Sequence, residues 1–329
     1  MPIFRPLLLL SFFLLLPSCS GNRGERPVVI KAASVCPPSN PIVMTFHFIK
    51  REIEKRSQGR VRVEIYDSGQ LGGETDNVER IRLNTLEMAD VSTAVLGNFA
   101  PDFFVFDLPF IFSGREHQAA VLDGPVGRLL LEKLRPIGIR GMMFYGGVSR
   151  NLYAKRPVRT LEDLKGLKVR IMESRVMQQT WSAFGATAIP LSFSELYSAL
   201  EQGVVDGAEN NIVQYYVSGH NDPCPYYILT GHFMVPSIII LSDRFFERLG
   251  SPDRRLLEEV FADSRVYYDS AWQAIESETI RKLKEGGATL VPVSREPFRQ
   301  KVEPIYRAFT RKYGDGVLRE ILKAGGGRE

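Results

Sequence analysis

The sequence predicts an α/β protein of two lobes joined by a hinge, with one long C-terminal helix running across both. Three observations lead there. The chain has 329 residues, more than one hydrophobic core usually serves, so two domains are expected. Apolar patterns of period 2 and period 3.6 alternate along it, the βαβα order that builds mostly parallel sheets with helices on both faces. A helical pattern then runs from about Pro252 to Gly286, longer than one domain of ordinary size needs.

The elements follow in order. Arg5 precedes an apolar run from Leu7 to Leu16 broken by Ser11. The run is too short for the roughly 20 residues of a membrane-spanning helix, and it suits the apolar region of a secretory signal. Leu16, Ser18 and Cys19 fall in the order of a lipoprotein processing box, with Pro17 where a small residue is usual. The expectation is a signal peptide over residues 1–19 with a lipid on Cys19; ordinary cleavage nearby is the alternative, and either exports the chain. Residues 20–27 are polar and read as a tether.

Val28 to Ile30 with Ala32 reads as a first strand. Phe46, Ile49 and Ile53 recur at helical spacing, and Gly59 closes that helix. Val61, Val63 and Ile65 alternate with Arg62 and Glu64, as in a half-buried strand. A glycine turn from Ser68 to Gly73 leads into a helix from Asn77 to Asn84. Met88 to Val95 reads as a strand, residues 115–134 as a helix and Arg140 to Tyr145 as a strand. Past Gly146 and Gly147, a short helix starts at Thr160 and ends at Gly166, before a strand from Leu167 to Ile171. Ser192 and Glu195 have capping-box spacing and open a helix that stops at Gly203. Val204 to Gly207 reads as a short buried strand, and Pro236 to Leu241 as an apolar one.

Charge and motif content narrow the function. The net charge of +4 comes from lysines and arginines scattered among acids, a solvated surface that argues against nucleic-acid binding. The four histidines show no metal-like spacing, and no nucleophile elbow, phosphate loop or zinc-protease motif occurs. No enzymatic activity, metal or cofactor is expected. Cys36 and Cys224 remain beyond Cys19; an exported chain permits their pairing, and spacing leaves it open.

Six segments then occur in order: Asp67 to Glu74 (DSGQLGGE), Phe106 to Phe112 (FDLPFIF), Arg156 to Arg170 (RPVRTLEDLKGLKVR), Pro190 to Tyr197 (PLSFSELY), Leu200 to Asn211 (LEQGVVDGAENN) and Thr230 to His232 (TGH). Together they resemble the DctP family of solute-binding proteins of tripartite ATP-independent periplasmic (TRAP) transporters, over roughly residues 28–310. The resemblance implies a periplasmic-binding-protein-like fold, with lobe I over 28–146 and 236–275 and lobe II over 147–235 and 276–329. It implies a small organic acid held in the cleft and handed to small and large membrane subunits that use an ion gradient. A similar fold serving an ATP-driven importer or a sensory receptor is the rival reading, separable by the neighbouring reading frames.

The resemblance also assigns residues. Arg170 falls where the family pairs an arginine with the ligand carboxylate; a guanidinium offers a planar fork matching two carboxylate oxygens, which lysine cannot. Arg150 falls near a second contacting arginine. Asn210 falls where an amide holds the same carboxylate, unless it caps a helix. Phe193 is expected to wall the pocket or join the core. Glu74 is expected to accept sugar hydroxyls or to favour the start of the next helix. Thr93 is expected at the cleft mouth; Asn40 is a weaker candidate that turn chemistry alone explains. The pair Asn210-Asn211 resembles members that bind sugar acids such as uronates. Tyr215 and Tyr216 are expected in a core or interface, with stacking on a sugar face the alternative.

Overall fold

The structure, a computed structural model, describes residues 27–146 and 148–325. The signal peptide, Cys19, all but the last residue of the tether, and Gly147 lie outside them. Among the described residues no helix is long and apolar enough to cross a membrane.

In chain order the strands are β1 (Val28–Ala33), β2 (Val61–Tyr66), β3 (Met88–Ser92), β4 (Ile139–Tyr145), β5 (Arg150–Ala154), β6 (Lys168–Ile171), β7 (Thr187–Pro190), β8 (Gly207–Asn210), β9 (Tyr226–Phe233), β10 (Ser237–Ser242) and β11 (Thr289–Val291). They form two sheets, ordered β2-β1-β3-β10-β4 and β11-β9-β5-β8-β6-β7. Each sheet is parallel except for one strand. β10 runs antiparallel to β3 and β4, and β5 antiparallel to β8 and β9. These are the two strands on which the chain enters a lobe after leaving the other. It leaves the first lobe at the carboxyl end of β4 and the second at the carboxyl end of β9. An entering strand starts at the cleft and must run away from it, against its neighbours. The carboxyl ends of the parallel strands of both sheets therefore face one cleft, where ligands bind in open α/β sheets.

A third link is the 35-residue helix Ser251–Glu285. It packs along helix Pro41–Arg56 of the first lobe and reaches helix Ile212–Val217 of the second, burying Leu256, Leu257, Val260, Phe261 and Leu283 in one apolar cluster.

Several elements differ from expectation. The helix expected over 115–134 is two, Arg115–Leu122 and Pro125–Glu132, because Pro125 has no N–H for a continuing helix and suits a first turn. β3 ends at Ser92, whose Oγ accepts from Ala94 N at 3.1 Å and starts a helical turn. Ser192 stands at the N-cap of helix Phe193–Glu201, but its hydroxyl bonds Ser194 Oγ at 2.7 Å, and no capping box forms. The buried strand expected at Val204–Gly207 starts only at Gly207, and Val204 is 50% exposed in the turn before it. The stretch 276–329, expected in the second lobe, divides between the two cores. Phe298 packs in the second lobe, whereas Ile305, Phe309, Leu318 and Ile321 join Phe103, Phe104 and Leu130 of the first. The apolar face of helix Gly316–Ala324 is buried on that phenylalanine-rich surface, and helix Glu303–Tyr313 packs both there and on helix Arg175–Ala183 of the second lobe.

Gly207 opposes Ala154 across the β5–β8 seam, and a Cβ there would sit 2.4 Å from the Tyr153 carbonyl oxygen. Gly207→Ala should lower unfolding stability by about 1–3 kcal/mol, as overpacking does, read from the urea midpoint.

Candidate functional site

A cavity of about 280 Å³ lies between the carboxyl ends of the two sheets. That is close to the lower end of the about 300–1,000 Å³ usual for ligand sites, room for one small molecule. The first lobe lines it with Cys36, Asn40, Glu74, Asp90 and Ser92, and the second with Arg150, Arg170, Phe193, Asn210 and Asn211.

Arg170 sits on β6, whose backbone is paired on both sides by β7 and β8. The residue is 2% exposed. Its Nε donates to the Leu191 carbonyl at 2.8 Å, and its buried Nη1 has no hydrogen-bond partner. Among the described residues it forms no ion pair. Its Cζ lies 5.8 Å from the centre of the Phe193 ring, within cation–π range. Burial pushes its pKa down, because taking an uncompensated cation out of water costs several kcal/mol. The arrangement leaves a buried cation at the cavity wall with one N–H group unpaired.

Arg150, at the start of β5, is arranged differently. Its Nε and Nη2 donate to Glu209 Oε2 and Oε1 at 2.6 and 2.9 Å, Nη2 also donates to the Glu209 carbonyl, and Nη1 donates to Asn210 Oδ1 at 2.8 Å. Glu209 is fully buried. The fork expected for a ligand carboxylate is thus filled from within the protein. Behind this pair, His232 Nε2 is 3.9 Å from Glu209 Oε2, while its Nδ1 bonds Thr230 Oγ1 at 2.7 Å. Burial, then Arg150 and Arg295, hold the His232 pKa well below its usual value, so the ring is neutral. The TGH segment is therefore scaffold behind the arginine.

Asn210 lines the cavity, and its Oδ1 accepts from Arg150 and from Asn211 N at 2.9 Å. The helix cap is Asn211, whose Oδ1 accepts from Gln214 N at 2.8 Å. Phe193 lines the cavity. Asn40 does too: its Oδ1 accepts from Ile42 N at 2.9 Å, and its Nδ2 donates across the cleft to Gln214 Oε1. Further bonds join the lobes, among them Asn98 Nδ2 to the Glu173 carbonyl at 2.6 Å, Ser174 Oγ to Asp107 Oδ2 at 2.5 Å and Thr75 Oγ1 to Glu173 Oε2 at 2.5 Å.

Thr93 is not at the cavity. It is fully buried, and both its N and Oγ1 donate to the Pro236 carbonyl at 3.0 Å, tying β3 to the second crossing. Its predecessor Ser92 lines the cavity instead, because the strand ends one residue before Thr93. Tyr215 is core, with its hydroxyl on the Cys224 carbonyl at 2.6 Å, and Tyr216 borders a separate groove. Cys36 and Cys224 are free thiols.

Glu74, the first residue of helix Glu74–Arg82, accepts from Ser92 N through Oε1 at 3.2 Å. Burial and then Asp90 push its pKa up to about 7, against the Ser92 bond and the two arginines. Asp90 is pushed up to about 7 by burial, against a hydrogen bond from Ser34. Sequence reading missed Asp90; the available signal was a lone acid within the apolar strand Met88 to Val91.

A model of the bacterial extracellular solute-binding protein family 7, DctP, matches residues 32–312. The C4-dicarboxylate-binding periplasmic protein DctP of Rhodobacter capsulatus is 29% identical over 304 residues, 91% of each chain. A TRAP periplasmic solute binding protein from Xanthobacter autotrophicus Py2 with bound β-D-galacturonate superposes with a TM-score of 0.86 at 30% identity, covering 91% of this chain and 100% of that one. The sugar acid binding protein DctPAm from Advenella mimigardefordensis, in complex with galactonate, gives a TM-score of 0.89 at 30% identity, covering 92% and 98%.

Two predictions follow from the charges. Arg150→Met strands the buried Glu209 carboxylate and should cost about 3–5 kcal/mol of stability. Arg170→Met removes a cation with no partner and should cost no more than the Leu191 hydrogen bond, about 1 kcal/mol; urea unfolding of the ligand-free variants checks the contrast. The second concerns pH. Glu74, Asp90 and Asp107 have folded pKa values raised to about 7, 7 and 8, so the folded state binds more protons than the unfolded one up to about pH 8. The lowered His220 and His232 oppose this only below their ordinary value of about 6.5. The ligand-free melting temperature should therefore fall as pH rises from about 6.5 to 8, and Asp90→Asn with Asp107→Asn should flatten that slope.

Proposed function

The chain belongs to the bacterial extracellular solute-binding protein family 7, and on that premise we propose that it captures a sugar acid, a uronate or an aldonate. It does so outside the cytoplasm and passes the ligand to the membrane subunits of a TRAP transporter. The observation behind this reading is Arg170, a buried guanidinium with a free Nη1 at the cavity wall. A ligand carboxylate gives that charge its missing partner, and a planar fork suits it. Asn210 Nδ2 adds a second donor from the same lobe. Arg150 acts mainly by holding Asn210 and Glu209 in place.

The sugar half of the ligand rests on two supports. The galacturonate and galactonate named for the Xanthobacter and Advenella proteins each join one carboxylate to a hydroxylated chain. The first-lobe wall offers Glu74, Asp90, Ser92 and Asn40, groups that suit hydroxyls. Hydrogen bonds to charged groups contribute about 1.5–3 kcal/mol each, so two or three supply much of the roughly 8 kcal/mol of micromolar binding. Binding in the open form followed by lobe closure about the two crossings and the long helix brings the first-lobe groups onto the ligand. Residues 1–19 direct export, and a lipid on Cys19 tethers the mature protein to the membrane.

Arg170→Ala should abolish micromolar binding of D-galacturonate, D-glucuronate and D-galactonate, and Arg170→Lys should weaken it at least about tenfold, both by titration calorimetry. Wild-type affinity in Arg170→Lys would rule out the bidentate pair. Stabilisation by neutral sugars alone, in a melting-temperature screen, would rule out a carboxylate ligand.

A further inference from the structure

The wall facing Arg170 holds two acids that are in no ion pair among the described residues. Glu74 comes from the first turn of its helix, and Asp90 from the middle of β3, where its backbone is opposite Ile239 of β10. Both line the cavity, and Asp90 raises the Glu74 pKa. Asp90 Oδ1 is buried without a hydrogen-bond partner, and Glu74 spends one oxygen on Ser92 N. Among the described residues neither acid is in an ion pair. The charged and titratable groups around them are the Cys36 thiol beyond β1, Tyr145 of β4, and Arg150 and Arg170 from the second lobe. Burial raises both carboxyls, and the charge of Asp90 raises Glu74 further, so the two resist losing both protons.

We propose that Glu74 and Asp90 form a charge filter opposite Arg170, accepting the hydroxyls of a singly charged sugar acid and repelling a second carboxylate. The inference rests on the sugar-acid reading above and narrows it to monoanions. The geometry fixes one anion at Arg170 and leaves the far end of the ligand among oxygens. Hydroxyl groups donate to those oxygens and accept from whichever carboxyl is protonated. A carboxylate in the same place would meet like charge in a dry cavity where, among the described residues, no cation is paired with those acids, so discrimination comes from an unfavourable contact with the wrong ligand. Asp90 is then a specificity-determining residue, and acidification, which protonates the pair, should relax the filter.

The test compares D-galactonate with D-galactarate, open-chain acids that differ only in a hydroxymethyl group against a carboxylate at one end. Calorimetry on the mature wild-type protein at pH 7.5 should show galactonate binding at least about 100-fold more tightly. Asp90→Asn should shrink that ratio at least about tenfold through tighter galactarate binding, with its melting temperature showing that it is folded. Should Asp90→Asn not fold, the wild-type ratio measured from pH 8 to pH 6 provides the second arm; it should shrink on acidification. Galactonate binding with a ratio unmoved by both Asp90→Asn and pH would overturn the filter and leave the sugar-acid reading standing. Equal wild-type binding of the two acids would do the same. Binding of neither galactonate nor any hexuronate would overturn both readings, and tighter binding of a zwitterionic amino acid would reassign the pair to an ammonium group.

Discussion

A guanidinium buried between two lobes, with no ion-pair partner among the described residues, is the constraint around which the rest of this structure is arranged. Arg170 cannot move to water, because β6 is locked between β7 and β8 and its Nε is held by the Leu191 carbonyl. An isolated buried cation is unfavourable by several kcal/mol unless something of opposite charge comes to it. The second lobe has an acid within reach of the neighbouring arginine, Glu209, and gives it to Arg150. Two arginines twenty positions apart on adjoining regions of one sheet thus have opposite electrostatic states, one compensated and one open. On the reading proposed above, a carboxylate entering the cavity has Arg170 as its destination.

The compensated pair matters for the open one. Glu209 and Asn210 are consecutive on β8, so their side chains emerge on opposite faces of the strand; Arg150 nevertheless reaches both, bonding Glu209 through one edge and Asn210 Oδ1 through Nη1. That bond decides the direction of the Asn210 amide, since only the oxygen can face a guanidinium. The neutral His232, anchored on Thr230, closes the space behind Glu209 without adding a competing charge. The network fixes the Asn210 amide beside the same cavity that Arg170 lines.

Much of the architecture was legible from periodicity, because strands such as Val61–Tyr66 and the 35-residue helix bury one face at a constant interval. The misreadings occur where one residue overrides a pattern. Pro125 breaks an otherwise continuous apolar helix pattern, and Ser92 ends a strand that looked apolar to Val95. The Val204–Val205 pair invited a strand that the following glycine delays to 207. Those shifts of one to three residues are why Thr93 was misplaced at the cleft while Ser92, its neighbour, occupies it. Motif spacing located Arg170, Asn210 and Phe193 at the cavity, but could not distinguish a filled arginine from an open one. That difference depends on Glu209 crossing a seam set by the β5–β8 register, which no local pattern encodes. Asp90 escaped for the converse reason: an acid inside an apolar strand looks like an exposed alternate position until the strand is found buried on both faces.

The reversed strands show why the site and the hinge are one construction. A chain that crosses between two parallel sheets must begin its next strand at the cleft, so β5 and β10 each place their first residues there, Arg150 and Ser237. The residues nearest the hinge are therefore also residues of the cavity wall. Thr93 ties the second crossing to β3 through the Pro236 carbonyl, one residue from Ser92 in the wall. Closure cannot change the angle between the lobes without moving these groups relative to Arg170, and a bound molecule that fixes them fixes the angle. Direct lobe–lobe bonds such as Asn98 to the Glu173 carbonyl and Ser174 to Asp107 favour the same closed arrangement. A ligand shifts that equilibrium only by its differential affinity for the closed state. In this cavity the largest differential term available is the one between an anion and a guanidinium that closure removes from water.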